Sequence, residues 1–468
     1  MNEEQTKETF CEQVAFFTLK TRETHISEVS KAFRFLRVKG GAHTLQAWEE
    51  YDEKGYITRY QGENERLNKI FDVSAYTFSM CAREFYLDGA KRDRWLWGGD
   101  AYEAEKAEYY YQWDTERIKR SIIALFGKCP VNRYINHIMD YTLYTIISVW
   151  EYYEKTGDID FLRFIQPMFT EHLNYARGRV SDDGFIHSVK YKGKFVDWVF
   201  VDWGKLPDKN GEVCFEQILF YSALQAAIKV YETLGLEITD LKAQAESLKA
   251  KTNEVFWDEK RGAYLFARND GVMDETLTCH ANVFAVLYNF ADEEKAKRIT
   301  AGILNGDIPL SITPFMIEFV LASLFEAGET EKAAKMLEDF WGGMVDAGAT
   351  TFWETYKAGE TEETATAMYG RPFGRSLCHV WGAGPLYLIP KYYFGIDFKN
   401  FGETFVVEPN LALVQNSSIT VPLKRGELTV KIEKSGVEVL STSLNGVLKI
   451  QGKTYPINNK EKRYVKIV

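Results

Sequence analysis

From about Arg66 to Phe394 the apolar positions recur at three- and four-residue spacing. Leu143, Ile146, Ile147 and Trp150 share one face, and Ile317, Val320, Leu321 and Leu324 repeat the pattern. Each run predicts an amphipathic helix with one buried stripe. Several runs end alike, as in YYEKTGDIDFL, VYETLGLEITDL and LFEAGETEKAAKML. Gly157, Gly235 and Gly328 there fall just past a predicted C-terminus, where left-handed backbone favours glycine, and an acidic residue soon opens the next helix. The repeating unit is an antiparallel helical hairpin with a tight loop. Stacked hairpins either stay an open solenoid or close into a toroid. The long Trp-, Asp-, Glu- and Gly-rich segments between them favour closure, because a toroid carries such loops around one mouth.

The flanks alternate instead. Phe33 to Val38 reads as strand, with Gly40, Gly41 and Gly55 as turns. After Gly395 come Phe405-Val406-Val407, Ile419-Thr420-Val421, LTVKIEK from Leu428, LKI from Leu448 and a final YVKIV, several of them separated by glycines. The expected fold is therefore mainly α. A partial N-terminal β segment (1–65) precedes a barrel of six helical hairpins (66–398) and a C-terminal antiparallel β-sandwich (399–468).

Composition narrows the functional classes. With 46% hydrophobic and 26% charged positions over 468 residues, the chain has material for a large core. Its 57 basic and 67 acidic residues leave a net charge of -10, which argues against nucleic acid as a partner, since phosphate binding needs a basic face. The 27 Tyr, 31 Phe and 11 Trp suit either a large helical core or surfaces that stack on sugar rings. The polar, acidic start MNEEQTKETF shows no secretory signal, and no segment has the apolar length of a membrane span, so a cytoplasmic location is expected. Cys11, Cys81, Cys129, Cys214, Cys279 and Cys378 are scattered with no metal-ligand spacing; they read as small buried thiols, and no structural zinc site is expected.

Four segments between the hairpins combine acids with aromatics. DGAKRDRWLWGGD, Asp88 to Asp100, holds three acids, three basic residues, two Trp and a Gly-Gly pair; the helix after it carries Glu103, Glu105 and Glu108. KFVDWVFVDWGKLPD contains Asp197-Trp198 and Asp202-Trp203. GGMVDAGATTFWETYKAGE contains Trp353-Glu354, and RPFGRSLCHVWGAGP contains His379 and Trp381 before an apolar helix. Carboxylates for acid and base work, Arg and Asp for hydroxyl groups and Trp for ring faces are what glycosidic cleavage requires. Taken singly, each segment reads equally as a helix cap, a salt bridge or a satisfied core histidine.

DGAKRDRWLWGGD, the Asp197-Trp198 pair, GATTFWE from Gly348 and SLCHVWGAGP from Ser376 occur in the order found in bacterial α-L-rhamnosidases, glycoside hydrolase family 78, which the chain resembles from about Ala32 onward. The resemblance implies an (α/α)6 barrel with a C-terminal β-sandwich. It also implies hydrolysis of a terminal α-L-rhamnosyl or similar linkage with inversion, on an oligosaccharide or glycoside, without metal or cofactor. The N-terminal strands would be the tail of a β-domain carried complete by longer members, and an edge left there would favour a homodimer.

By the same resemblance Glu354 matches the general base. The family's general acid is a Glu following Arg-Asp in the first motif; here the run is Asp88-Gly89-Ala90-Lys91-Arg92-Asp93-Arg94, and Asp93 is the nearest carboxylate to replace it, with Asp100 and Glu103 in reserve. Arg92 and Arg94 beside Asp93 would lower its pKa, whereas Trp95 or Trp97 packed over it would raise it. Asp88, Arg92, Trp97, Asp100, Asp197, Trp198, Trp203, Trp353, His379 and Trp381 are the expected sugar-binding set. Two alternatives stay open: another toroid enzyme, such as a different glycosidase or a polysaccharide lyase, or a sugar-binding protein that has lost its acid.

Overall fold

The computed structural model describes residues 58–467 except 128, 188–189, 192–193, 196–197, 204–205, 362–363 and 369–373, together with 23, 24, 26, 44 and 46. The strands expected ahead of residue 58, and Asp197, lie outside the described residues.

Twelve α-helices follow one another among the described residues: α1 Glu65–Cys81, α2 Gly98–Tyr111, α3 Thr115–Phe126, α4 Met139–Thr156, α5 Ile159–Arg177, α6 Cys214–Leu234, α7 Thr239–Phe256, α8 Cys279–Leu287, α9 Glu293–Asn305, α10 Pro314–Glu326, α11 Thr330–Asp346 and α12 Pro385–Leu388. Their starts are written locally. Asn64, Asp114, Asp158, Asp292 and Thr313 each accept a hydrogen bond from a first-turn backbone N–H of α1, α3, α5, α9 and α10. Their stops follow the glycine pattern, with Gly157, Gly235 and Gly328 at φ of 65°, 70° and 82°.

Closure comes from the even-numbered helices. Along the chain α2, α4, α6, α8, α10 and α12 each pack on the next, and α12 returns to α2, which completes an inner ring. The odd-numbered helices lie outside it, and α1 packs on α11 across the seam. The inner helices are accordingly buried on nearly all sides: α10 buries every residue from Pro314 to Phe325, whereas outer α7 buries only a stripe of Leu241, Ala245, Leu248, Thr252 and Phe256.

Beyond the ring, two sheets form the C-terminal sandwich. In the five-stranded sheet Arg59–Gln61, Ser417–Pro422, Glu427–Glu433, Gly436–Ser441 and Lys462–Lys466 lie side by side, all antiparallel. The strand before α1 is thus an edge of this sheet, with Tyr60 opposite Ile419. The four-stranded sheet runs Lys453–Ile457, Asn445–Ile450, Thr404–Val407, Ile396–Lys399, and its central pair is parallel, so the expected antiparallel sandwich is mixed at that point. Alternation still sets the faces: Leu428, Val430 and Ile432 point into the core between exposed or half-buried neighbours.

A buried charge cluster locks the corner between α2 and α3. Glu108 accepts from Arg117 Nη1 at 2.6 Å and from the Tyr86 hydroxyl at 3.0 Å, while Arg117 Nε donates to the Arg83 carbonyl at 2.9 Å; Glu108 and Arg117 are both fully buried. Removing one partner strands the other charge in low dielectric. Arg117→Met is expected to cost about 3–5 kcal/mol of unfolding free energy, measured by urea denaturation; a loss under about 1 kcal/mol would mean the pair contributes no more than an exposed one.

All five cysteines among the described residues are free thiols; Cys81, Cys214 and Cys279 are buried as expected, but Cys129 is exposed and Cys378 partly so. No described helix is long and apolar enough to cross a membrane.

Candidate active site

Four of the inner helices bring a polar side chain to the same mouth within their first three residues: Asp100 on α2, Asp140 on α4, Glu216 on α6 and His280 on α8. Helix N-termini favour negative charge, so the acids gather where the inner helices begin. The Gly98-Gly99 pair lets α2 start hard against α4. A Cβ on Gly98 would stand 2.8 Å from the Cβ of Tyr141, and one on Gly99 would stand 2.6 Å from its ring.

Across this mouth three of the four motifs are zipped together by backbone. The loop from Asp88 closes on itself, with Asp88 N–H donating to the Trp95 carbonyl at 2.9 Å and Trp95 N–H to Asp88 Oδ1 at 2.8 Å. The stretch 376–380 lies between that loop and residues 352–354. On one side Ala90 N–H donates to the Cys378 carbonyl at 3.2 Å and Val380 N–H to the Asp88 carbonyl at 2.7 Å. On the other, His379 N–H donates to Phe352 O at 3.0 Å and Glu354 N–H to Ser376 O at 2.9 Å. Gly89 permits the approach, since a Cβ there would meet Ser376 Oγ at 2.7 Å and the Arg92 carbonyl at 2.8 Å.

Glu354 is 1% exposed. Its Oε2 accepts the Ser376 N–H at 2.9 Å and pairs with Arg92 Nη2, and the Trp381 indole N–H donates to its backbone carbonyl at 3.0 Å. The other end of the Arg92 guanidinium, Nη1, lies 4.0 Å from Asp93 Oδ1. One guanidinium therefore spans the two carboxylates that the motifs supply. Asp93 sits at the outer surface with its side chain 46% exposed, beside Arg94 in left-handed backbone at φ 56°.

Behind them lies a buried set. Asp100 Oδ1 stands 3.1 Å from His379 Nε2, an electrostatic contact whose angles fall short of a hydrogen bond, and the His379 ring lies 4.2 Å from that of Trp381. Burial pushes the Asp88 carboxyl up to about 7, with the charge of Asp100 adding to it and His379 opposing. Burial also raises Asp100 in spite of His379. For His379 burial lowers the pKa, but Asp100, Glu354 and Asp88 outweigh it and the net direction is up. Glu103, one turn below Asp100, is pushed well up by burial and by Glu318, and neither of its oxygens has a hydrogen-bond partner among the described residues.

The aromatic expectations divide. Trp198 is exposed on the rim, and Trp97 and Trp203 are half-buried, edge-on to Tyr141 and Phe200 at 6.2 and 5.1 Å. Trp353 and Trp381 are fully buried, so they wall the site and present no ring face to solvent. The Trp95 side chain is turned to solvent.

Sequence reasoning noted Asp202 beside Trp203 without giving it a role, and it passed over Asp140, Glu216 and His280. Asp202 is held by Thr313 Oγ1 at 2.6 Å, by Ser311 and by His280 Nε2 at 3.1 Å, and Asp140 accepts the backbone N–H groups of Phe200 and Val201 at 2.9 and 2.6 Å. For Asp140, Glu216 and His280 the available signal was position: an acid or His in the first turn of a helix, which reads in isolation as ordinary capping.

The family model described as bacterial alpha-L-rhamnosidase 6 hairpin glycosidase domain matches residues 57–392. Among solved structures, the family 78 rhamnosidase of Bacillus sp. GL1 superposes with a TM-score of 0.72 at 22% identity, covering 86% of this chain and 43% of that one. A rhamnosidase from Klebsiella oxytoca with rhamnose bound gives 0.62 at 22% identity, covering 72% and 66%. The Streptomyces avermitilis α-L-rhamnosidase complexed with L-rhamnose gives 0.67 at 16% identity, covering 84% and 38%. At such identities these likenesses speak for the fold, and the chain spans less than half of the Bacillus and Streptomyces proteins. A search of curated proteins returned no match.

Proposed function

The chain belongs to the bacterial α-L-rhamnosidase six-hairpin glycosidase family, and from this we propose that it is an inverting, exo-acting glycoside hydrolase that releases a terminal α-L-rhamnosyl or closely related sugar. The observation that carries the reading is the Arg92 guanidinium, which pairs with Glu354 through one nitrogen and lies 4.0 Å from Asp93 through the other, although the two acids come from motifs far apart in the chain. One guanidinium between them gathers both acids at one site, and an inverting enzyme holds such a pair roughly 6.5–9.5 Å apart to leave room for sugar and water.

In this reading Glu354, buried and oriented by Ser376 N–H, takes the proton of the attacking water. Asp93, on the solvent side, protonates the departing oxygen. Arg92 releases Glu354 in part as the sugar enters and holds the carboxylate in place as charge develops. Asp88, whose carboxyl burial holds up to about 7 so that it keeps its proton through the mildly acidic range, donates to a sugar hydroxyl, while Asp100 accepts from another and is itself steadied by His379. Asp197, Trp97 and Trp203 complete the sugar-binding set, with Trp198 outside it on the rim.

The test is hydrolysis of 4-nitrophenyl α-L-rhamnoside with the first-formed sugar followed by proton NMR. The β-anomer is expected ahead of mutarotation; first release of the α-anomer would sink the inverting assignment. One observation favours a second reading, a sugar-binding protein without turnover: the glutamate that serves as the family's acid is absent from the first motif, where Arg92-Asp93 is followed by Arg94. Saturable binding of L-rhamnose with no hydrolysis of any rhamnoside would select it.

A further inference from the structure

The two carboxylates of the proposed reaction differ sharply in depth. Glu354 is buried and Asp93 faces water. A sugar lying between them has its attacked carbon inward and its leaving group outward, on the Asp93 side. The large apolar side chains on that side are Trp95, 62% exposed, two residues beyond Asp93, and Trp198, 58% exposed.

An exposed indole is by itself unremarkable as a surface feature. These two stand on backbone that is held firmly and in common. Trp95 is tied by its N–H and carbonyl to Asp88. The next residues are gripped by the Asn136 amide, whose Nδ2 donates to the Leu96 carbonyl at 3.1 Å and whose Oδ1 accepts the Gly98 N–H at 3.0 Å. Trp198 is fastened to the same turn from the other side: its N–H donates to the His137 carbonyl at 2.7 Å and its carbonyl accepts the Met139 N–H at 2.9 Å. Asn136 and His137 are successive non-glycine residues in left-handed backbone, at φ 52° and 62°. Each such residue costs on the order of 1–3 kcal/mol, which surrounding structure must hold in place. A loop whose only task was to face solvent would relax; this one holds the backbone that carries the two indoles in place at the lip.

We propose that Trp95 and Trp198, set on the Asn136-His137 turn, form a platform that receives the leaving group by a flat apolar ring face, either an aryl group or a pyranose. The inference rests on the reading of Asp93 as the outward acid and Glu354 as the inward base. It makes the protein selective for glycosides whose leaving group is a ring.

The test compares kcat/KM of wild type, Trp95→Ala, Trp198→Ala and Trp95→Phe on three substrates: α-L-rhamnosyl fluoride, 4-nitrophenyl α-L-rhamnoside and a rhamnosyl-glucose disaccharide. Taking each variant's rate relative to wild type removes the intrinsic reactivity of the leaving groups. Each Ala variant is expected to lose about 3- to 10-fold more on a ring-bearing substrate than on the fluoride, and Trp95→Phe to recover most of that difference. Whether the aryl or the pyranose substrate suffers more identifies the leaving group. Equal losses on all three substrates would mean that the indoles only support the loop, and the platform would be overturned.

Absence of hydrolysis by wild type would instead remove the catalytic reading. The quenching of tryptophan fluorescence by 4-nitrophenyl α-L-rhamnoside, with free L-rhamnose as reference, then decides the platform separately. Affinity for the nitrophenyl glycoside that falls about 3- to 10-fold in the Ala variants relative to that for rhamnose upholds it; no binding, or no such difference, overturns it.

Discussion

Glu354→Gln is expected to lower kcat/KM for α-L-rhamnosides by about 10³- to 10⁴-fold, and by a similar factor whether the leaving group is good or poor. The reason lies in the step the carboxylate serves. Water must lose a proton as it attacks, whatever departs from the other face of the sugar. Glutamine keeps the shape and can still accept the Ser376 N–H, but it cannot take that proton, and it removes the buried one of the two anionic groups beside Arg92. Sugar binding should persist, so L-rhamnose titrated into the variant by calorimetry is expected to bind within a few-fold of wild type. A variant that retains more than about a tenth of wild-type kcat/KM would remove Glu354 from the role of base.

Asp93→Asn should behave differently, and the difference identifies the acid. With an alkyl or sugar leaving group the rate is expected to fall by about 10²- to 10⁴-fold, because the departing alkoxide needs a proton. With α-L-rhamnosyl fluoride or a dinitrophenyl rhamnoside the loss should shrink to about tenfold or less. A uniform loss across leaving groups would assign Asp93 to positioning and shift the acid to Asp88. Burial holds that carboxyl up to about 7, so it still carries its proton through the mildly acidic range. In that case the leaving-group dependence should reappear in Asp88→Asn.

Much of the scaffold was legible before any coordinates. The spacing of Leu143, Ile146, Ile147 and Trp150 and the stops at Gly157, Gly235 and Gly328 foretold hairpins, and the long loops foretold a closed ring. The weaker reading was at the flanks. Arg59–Gln61 adds an edge to the C-terminal sheet, and Ile396–Lys399, close behind the last helical turn, is a strand of the other sheet. The pairing of Arg59–Gln61 with a strand hundreds of residues away leaves no trace in a local alternation, and Ile396–Lys399, which pairs with the nearby Thr404–Val407, follows the last helix too closely for its period to stand out.

The candidate site was legible as a set of residue types and much less so as an arrangement. Trp353 and Trp381 carry the same aromatic signal as Trp198, yet the first two are walls and the third is rim, since burial is decided by what packs alongside. Asp88, Asp93 and Asp100 are three aspartates in one motif. Asp93 lies open at the surface, whereas burial raises the other two, and within that pair His379 contacts Asp100 while the Trp95 N–H contacts Asp88. A proton's affinity follows desolvation and neighbouring charge, and both are properties of the assembled mouth.

By itself the sequence determined the hairpin repeat, the order of helical and β regions and the motifs from which the acids come, because helix period, capping and turn chemistry act within a few residues. Only the tertiary structure decided that Arg92 would reach Glu354, that one carboxylate would be sealed inside and the other left facing water, and that Trp95 and Trp198 would share one strained turn. Those outcomes follow from the closing of the inner ring, which brings distant segments within hydrogen-bond reach at the mouth where its helices begin.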